Sequence, residues 1–254
     1  MNSESPVLKT ASQLKISQPD FPDHIALIPD GNRRWAEARG LSVGEGYAAG
    51  AEKIKQFREW ALVDNSVEIM SVFLLSTENI ERRPEDELEQ LYSVFIDFFN
   101  SVAENSFVRE NQIRHEVRGA DSAIEKLPDG VRRAIGNMES ATSDFGGPRV
   151  VFLIPYGGRA EIVKAASDTR MIGGLDVTDI GEDQEEFRDN LMLGDLPDVD
   201  LMTRTSEKRI SNFMLYHTAY AEFVFHQLNW PSFTESMFYE SIYKYANRDR
   251  RFGV

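Results

Sequence analysis

The chain contains no cysteine, which excludes disulfides, thiolate nucleophiles and cysteine-ligated metals. Only four histidines are present, at 24, 115, 217 and 226. They are scattered without metal-ligand spacing and read as structural or surface residues. No apolar run reaches membrane-spanning length, and the first twenty residues are polar without a signal-peptide core, so a soluble, cytoplasmic protein is expected. Bases are scarce: 28 Lys+Arg against 42 Asp+Glu give a formal net charge of −14. That balance argues against a nucleic-acid partner, which calls for a basic face. The chain also lacks G-x-x-x-x-G-K-[ST], G-x-S-x-G, H-E-x-x-H and a G-x-G-x-x-G after the first strand. P-loop, dinucleotide, α/β-hydrolase and zincin chemistries go with them.

What is present is an ordinary globular composition, 41% hydrophobic over 254 residues, enough for a sizeable core. Residues 1–22 read as a flexible N-terminal arm closed by Pro19 and Pro22, and 23–254 as one domain. "HIALI", "VEIMSVFLL", "IRHEVRG", "RVVFLIPYGG", "VDLMTR" and "VFHQLNW" read as strands. Between them "NRRWAEARG", "YAAGAEKIKQFREWALVDN", "LPDGVRRAIGNMESATS", "RAEIVKAASD", "SNFMLYHTAYAEF" and the terminal "TESMFYESIYKYANRDRR" read as helices. A long helix starts at Pro84, with acids in its first turn and Leu88, Leu91, Phe95, Phe98 and Val102 along one side. The acidic stretch before Val199 shows little periodicity. Alternating strands and helices imply a single α/β domain with a mostly parallel central sheet flanked by helices.

Polar residues gather where the apolar strands stop: Asp30-Gly31-Asn32-Arg33-Arg34, Ser76-Thr77-Glu78-Asn79 with Arg82 close behind, Tyr156-Gly157-Gly158-Arg159, and Thr203-Arg204-Thr205-Ser206 followed by Arg209 and Ser211. In open α/β sheets such carboxyl ends converge on the ligand crevice. Each alone reads as loop chemistry. Together they form an inventory suited to diphosphate, with glycines for close backbone approach and arginines to clamp phosphate oxygens. A lone carboxylate among them, Asp30, reads as the group that holds Mg²⁺ against the phosphates.

"HIALIPDGNRRWA", "LLSTEN", "PYGGRAEI", "RTSEKRISNFMLYHTAYAEFVF", "WPSF" and the closing "RDRRFG" resemble, in order, the signature regions of the cis-prenyltransferases, the family of undecaprenyl and (Z)-farnesyl diphosphate synthases. The resemblance implies a homodimer of parallel-sheet subunits, each with a hydrophobic tunnel under the sheet's carboxyl edge. It implies addition of isopentenyl diphosphate to an allylic prenyl diphosphate with Z geometry, using Mg²⁺, and leaves room for peripheral membrane contact at product release. Carried over by position, Asp30 matches the aspartate that positions Mg²⁺ and the allylic diphosphate. Gly31, Asn32, Arg33 and Arg34 match that diphosphate's cradle, followed by Trp35. Ser76, Thr77, Glu78 and Asn79 fall in the stretch near the reacting centre, Asn79 matching the residue assigned to proton removal. Arg82, or its neighbour Arg83, matches a further diphosphate-binding arginine. Arg204, Arg209, Ile210 and Ser211 match the isopentenyl diphosphate site, and Glu222 an acid that completes the metal site across the dimer.

The chain departs from the long-chain pattern at Val43 and Tyr47, where an Arg and a His are usual, at Leu75 in place of Phe, at Ile80, and at Arg33 in place of Gly. "RTSEKRIS" is one residue shorter than usual and "ENIERRP" one longer. These departures tilt the expectation toward a short or medium product, with Phe95 and either Phe98 or Phe99 as the stop on the tunnel wall. The alternatives are an enzyme making an irregular, branched prenyl diphosphate and a non-catalytic partner subunit; the latter type lacks the Asp and the Asn that stand here at 30 and 79.

Overall fold

The computed structural model describes residues 21–62, 67–169 and 180–248. The short apolar runs form strands β1 (His24–Ile28), β2 (Ile69–Phe73), β3 (Arg114–Arg118), β4 (Arg149–Leu153), β5 (Leu201–Thr205) and β6 (Glu222–His226). They make one six-stranded sheet in the order β3-β4-β2-β1-β5-β6, with every pairing parallel. Parallel strands need crossover connections, and these place helices over both faces. The helices are α1 (Asn32–Glu37), α2 (Val43–Leu62), α3 (Thr77–Arg82), α4 (Glu85–Ala103), α5 (Ser106–Glu110), α6 (Asp121–Ile124), α7 (Asp129–Thr142), α8 (Gly158–Asp168), α9 (Ile180–Asp189) and α10 (Glu235–Ala246).

Alternate strand residues feed two cores. Ile25, Leu27, Met70, Val72, Val150 and Phe152 face the larger one, which is closed by α2, α4, α7 and α10. Ala26, Ile28, Val151, Leu153 and Met202 face the smaller one, with Leu193, Leu196, Phe213 and Met214. Each fully buried side chain of this size contributes about 1.5–3 kcal/mol, so strand register is strongly held. From β1 the chain moves to β2 on one side and later returns to β5 on the other. The carboxyl ends of β1 and β5 therefore flank a topological switch point, where such sheets open a crevice.

The long helix α4 buries Leu91, Phe95, Phe98 and Val102 as its spacing predicts, and Phe99 besides. Leu88 is only half-buried, and the buried residue of its first turn is a carboxylate, Glu87. Three expectations need correcting. Residues 211–220 are not a helix but successive turns, with φ of 50° at Ser211, 64° at Asn212 and 45° at Met214. Long-range bonds override the helical pattern there: the Asn212 carbonyl accepts from Gly158 N at 2.8 Å, and its side-chain Oδ1 accepts from Arg159 N at 2.8 Å. Because this segment stays irregular, β6 begins at Glu222 rather than Val224. The low-periodicity acidic stretch contains α9, whose mean composition is too polar to show an apolar stripe. Residues 1–20 of the expected arm and 249–253 of "RDRRFG" lie outside the described residues.

All four histidines are buried. His24 bridges the sheet and a loop, its Nε2 at 2.9 Å from Ser71 Oγ and its Nδ1 at 3.0 Å from the Pro197 carbonyl. Burial depresses its pKa to about 4. Burial, then the Arg58 guanidinium 3.3 Å from its Nε2, depresses that of His115 to about 3. Both rings are neutral in the folded protein at neutral pH, whereas in the unfolded chain they bind protons near pH 6.5. Protonation therefore favours unfolding: stability is full above pH 6.5 and falls as pH drops toward 4, by up to about 1.4 kcal/mol per pH unit for each histidine. Urea unfolding across pH 4.5–7.5 checks this, and His115→Gln should flatten the acid limb. A flat profile in the native protein would contradict the assignment.

Candidate active site

Asp30 stands two residues beyond β1, at the switch point. Its backbone is fixed from three directions. Its N–H donates to Thr205 Oγ1 at 3.0 Å, and its carbonyl lies 2.7 Å from that hydroxyl and accepts from Trp230 N at 2.9 Å. Gly31 follows with φ of 100°, and a Cβ there would meet Ser206 Oγ at 2.1 Å. Only glycine fits both the left-handed backbone and the contact. The chain then enters α1, which packs on α2 so closely that a Cβ at Gly50 would lie 2.3 Å from Asn32 Oδ1. Trp230 donates from Nε1 to the Gly50 carbonyl at 2.9 Å, tying α2 to the same loop.

The Asp30 carboxylate sits between two guanidinium groups. Oδ2 accepts from Arg204 Nη2 at 2.8 Å and Oδ1 from Arg34 Nη2 at 3.1 Å. Arg204, 3% exposed at the end of β5, also donates from Nη1 to Ser211 Oγ at 2.6 Å and to the Arg209 carbonyl. Arg34 turns its Nη1 to Glu207 Oε1 at 2.9 Å, and Glu207 Oε2 takes Arg209 Nη1 at 3.2 Å. The left-handed turns at Ser206 and Ser211 bend the 206–211 loop back over Asp30 so that these contacts close.

Across the crevice, Ser76 stands three residues beyond β2, and its hydroxyl accepts from Asn79 N at 3.1 Å and caps α3. The Asn79 side-chain amide makes no hydrogen bond among the described residues and lines the cavity. Arg82 does likewise and is exposed. Arg83 is committed instead: it donates to Tyr47 Oη at 3.0 Å and pairs with Glu87 at 3.4 Å. Glu87 also takes the Tyr47 hydroxyl at 2.5 Å and Arg33 at 3.0 Å. Burial, with the Glu87 hydrogen bond, pushes the Tyr47 phenol well above its ordinary pKa, so it stays a donor. Arg82 is therefore the uncommitted cation of the Arg82–Arg83 pair.

These groups ring the mouth of a cavity of about 590 Å³. Its far walls are apolar: Ile54 of α2, Leu74 and Leu75 after β2, and Leu91, Val94, Phe95 and Phe98 of α4. One end is thus cationic and the other hydrocarbon-like, the shape expected for an anionic head on an apolar tail.

The family model of the undecaprenyl diphosphate synthases matches residues 28–253. The chain belongs to the cis-prenyltransferase family. It is 37% identical over 259 residues to the tritrans,polycis-undecaprenyl-diphosphate synthase (geranylgeranyl-diphosphate specific) of Methanopyrus kandleri, covering 99% of this chain and 93% of that one. It is 37% identical over 237 residues to the isoprenyl transferase of Listeria monocytogenes, covering 92% and 90%. Among solved structures, lavandulyl diphosphate synthase from Lavandula x intermedia, in complex with dimethylallyl diphosphate, superposes with a TM-score of 0.82 at 31% identity over 93% of this chain and 100% of that one. This protein is a cis-prenyl diphosphate synthase.

Not every residue singled out in this prenyltransferase's sequence reaches the cavity. Asp30, Gly31, Asn32, Arg33, Arg34, Ser76, Asn79, Arg82, Arg204, Arg209 and Ser211 line it. Trp35 stacks under the Arg39 guanidinium at 4.4 Å instead, and Ile210 packs on the smaller core. Thr77 and Glu78 brace the 211–215 turns, Glu78 accepting from Asn212 Nδ2 at 2.7 Å. Partial burial pulls the Glu78 pKa up, but hydrogen bonds from its own N–H, Asn212, Ser76 and Thr77 outweigh it and hold the carboxylate low. The β4 end, Tyr156-Gly157-Gly158-Arg159, is also occupied structurally: Gly158 and Arg159 bond Asn212, and the Tyr156 hydroxyl donates to buried Glu161.

Glu222 is in register with Leu201, at the amino end of the sheet and opposite to Asp30. Within one subunit it does not approach the site. Glu87 and Asn229 are contributors that sequence spacing did not mark, while Glu207 and Trp230 lay within the "RTSEKRIS" and "WPSF" signatures without a role assigned to them.

Proposed function

We propose that this synthase condenses isopentenyl diphosphate with an allylic prenyl diphosphate to give a Z-configured product, with Mg²⁺ held at Asp30. The observation that carries this is the Asp30 carboxylate set between Arg34 and Arg204 at the switch point, above an apolar cavity. The two arginines separate two diphosphate positions, one over Gly31, Asn32 and Arg34 and one against Arg204, Arg209 and Ser211. Leaving-group departure puts negative charge on the allylic diphosphate, and fixed donors there stabilise the transition state more than the ground state. The cavity walls exclude water and align the two chains. Asn79, with its amide uncommitted beside the mouth, is the group proposed to assist proton removal.

The donor set suits Mg²⁺ brought by substrate. Among the described residues no group of three or more His, Asp or Glu could hold a metal. Mg²⁺, however, binds through one or two carboxylates plus substrate phosphates, and Asp30 faces the cavity. When bound it supplies charge neutralisation at the leaving oxygens. Glu222 enters only through a partner copy, which is the reason to propose a homodimer joined near the β6 edge.

The deciding assay uses purified protein, Mg²⁺, labelled isopentenyl diphosphate and a panel of allylic diphosphates, with product length read by chromatography. No condensation with any starter would overturn the reading. The likeness to lavandulyl diphosphate synthase favours one second reading, irregular coupling of two allylic units. Product from dimethylallyl diphosphate alone would select it.

Product length is proposed to be short or medium. Phe95 and Phe98 line the cavity while Phe99 packs behind them on Phe152, so the stop falls to the first two. Phe95→Ala is expected to lengthen the product at a cost of ~3–5 kcal/mol in stability. Native enzyme that makes ten or more isoprene units would refute the stop.

A further inference from the structure

Glu207, beside the cavity mouth, is a carboxylate that the condensation does not use. It touches one arginine from each diphosphate position: Oε1 takes Arg34 Nη1 at 2.9 Å and Oε2 takes Arg209 Nη1 at 3.2 Å. Asp30, Arg34, Glu207, Arg209 and Arg204 thereby close a ring, Arg204 joining it through Asp30 on one side and the Arg209 carbonyl on the other. In that ring Glu207 presents two anionic oxygens to the two guanidinium groups that phosphate oxygens would otherwise take.

We propose that Glu207 is an internal competitor for diphosphate, holding Arg34 and Arg209 in the free enzyme and reclaiming Arg34 as inorganic diphosphate leaves and Arg209 as the diphosphate of the product moves off. This rests on the reading of the mouth as two diphosphate positions. The strengths fit such a role. The side chains of Glu207, Arg34 and Arg209 are 30%, 47% and 65% exposed, and ion pairs at that exposure are weak. Substrate displaces them readily, and the carboxylate still offsets the charge of a site that would otherwise hold its leaving group too long. Arg204 is buried and paired to Asp30, so it lies outside the competition.

The test measures binding of inorganic diphosphate and of isopentenyl diphosphate alone, by calorimetry with Mg²⁺, to native enzyme and to Glu207→Gln. The variant is expected to bind both about two- to tenfold tighter, to show stronger product inhibition by diphosphate, and to lower KM and kcat together. The gain for inorganic diphosphate should disappear when Arg34→Gln is added, and the gain for isopentenyl diphosphate when Arg209→Gln is added, since each cycle isolates one coupling. Unchanged or weaker binding by a folded Glu207→Gln would overturn the proposal, as would a gain for inorganic diphosphate that persists without Arg34 or a gain for isopentenyl diphosphate that persists without Arg209. If native enzyme bound neither anion, the two-position reading itself would fail, whatever Glu207 did.

Discussion

An Asp30→Ala variant is expected to lose at least ~10²-fold in turnover, the scale for one lost electrostatic group, while retaining its fold. The carboxylate is partly exposed, at 29% of its side chain. The backbone of residue 30 is held by Thr205 and Trp230 and does not depend on the side chain. The loss has two sources. Removing the carboxylate removes the proposed Mg²⁺ ligand, and it also strips buried Arg204 of its anionic partner. Asp30→Asn separates the two, because the amide oxygen can still accept from Arg204. It should keep isopentenyl diphosphate binding near normal while turnover stays low. Steady-state kinetics with calorimetry would read both, and near-normal turnover of Asp30→Ala with Mg²⁺ would refute the assignment.

Arg204→Ala is expected to cost ~2–5 kcal/mol in isopentenyl diphosphate binding, the range for losing one partner of a desolvated charge pair. Its 3% exposure and three hydrogen bonds place it at the severe end. Since it also holds Asp30, the allylic partner should weaken as well, by a smaller factor. Arg209→Ala is the cleaner probe: its side chain is 65% exposed and its acidic contact is Glu207. It should weaken isopentenyl diphosphate several-fold and leave the allylic diphosphate nearly unchanged. Equal weakening of both substrates by Arg209→Ala would show that the two positions are not distinct.

Strands were legible because a buried parallel strand is a short uninterrupted apolar run, and α4 because nineteen residues carry enough turns to show a stripe. The 211–220 segment was misread because Phe213, Met214 and His217 sit at helical spacing while the bonds that shape the turns run to Gly158 and Arg159, far away in sequence. The cradle at Asp30 was legible as composition, an acid, a glycine and arginines after a strand. Its pairing with Arg204 was not, since the partners are 174 positions apart. Glu87 escaped for a different reason: in sequence it is one more acid in a helix's first turn, and only the fold shows it buried between Arg33, Tyr47 and Arg83.

The polar mouth is made by loops after β1 and β5, and the apolar walls by side chains of α2 and α4. Head and tail of the substrate are therefore read by separate stretches of the chain, joined where Glu87 of α4 grips Arg33 of α1 and where Trp230 ties the Asp30 loop to α2. On the proposed reading, substitutions along the inner faces of α2 and α4 are expected to change the length of the product while the chemistry of the mouth is inherited intact. Such an enzyme diversifies its products through its walls.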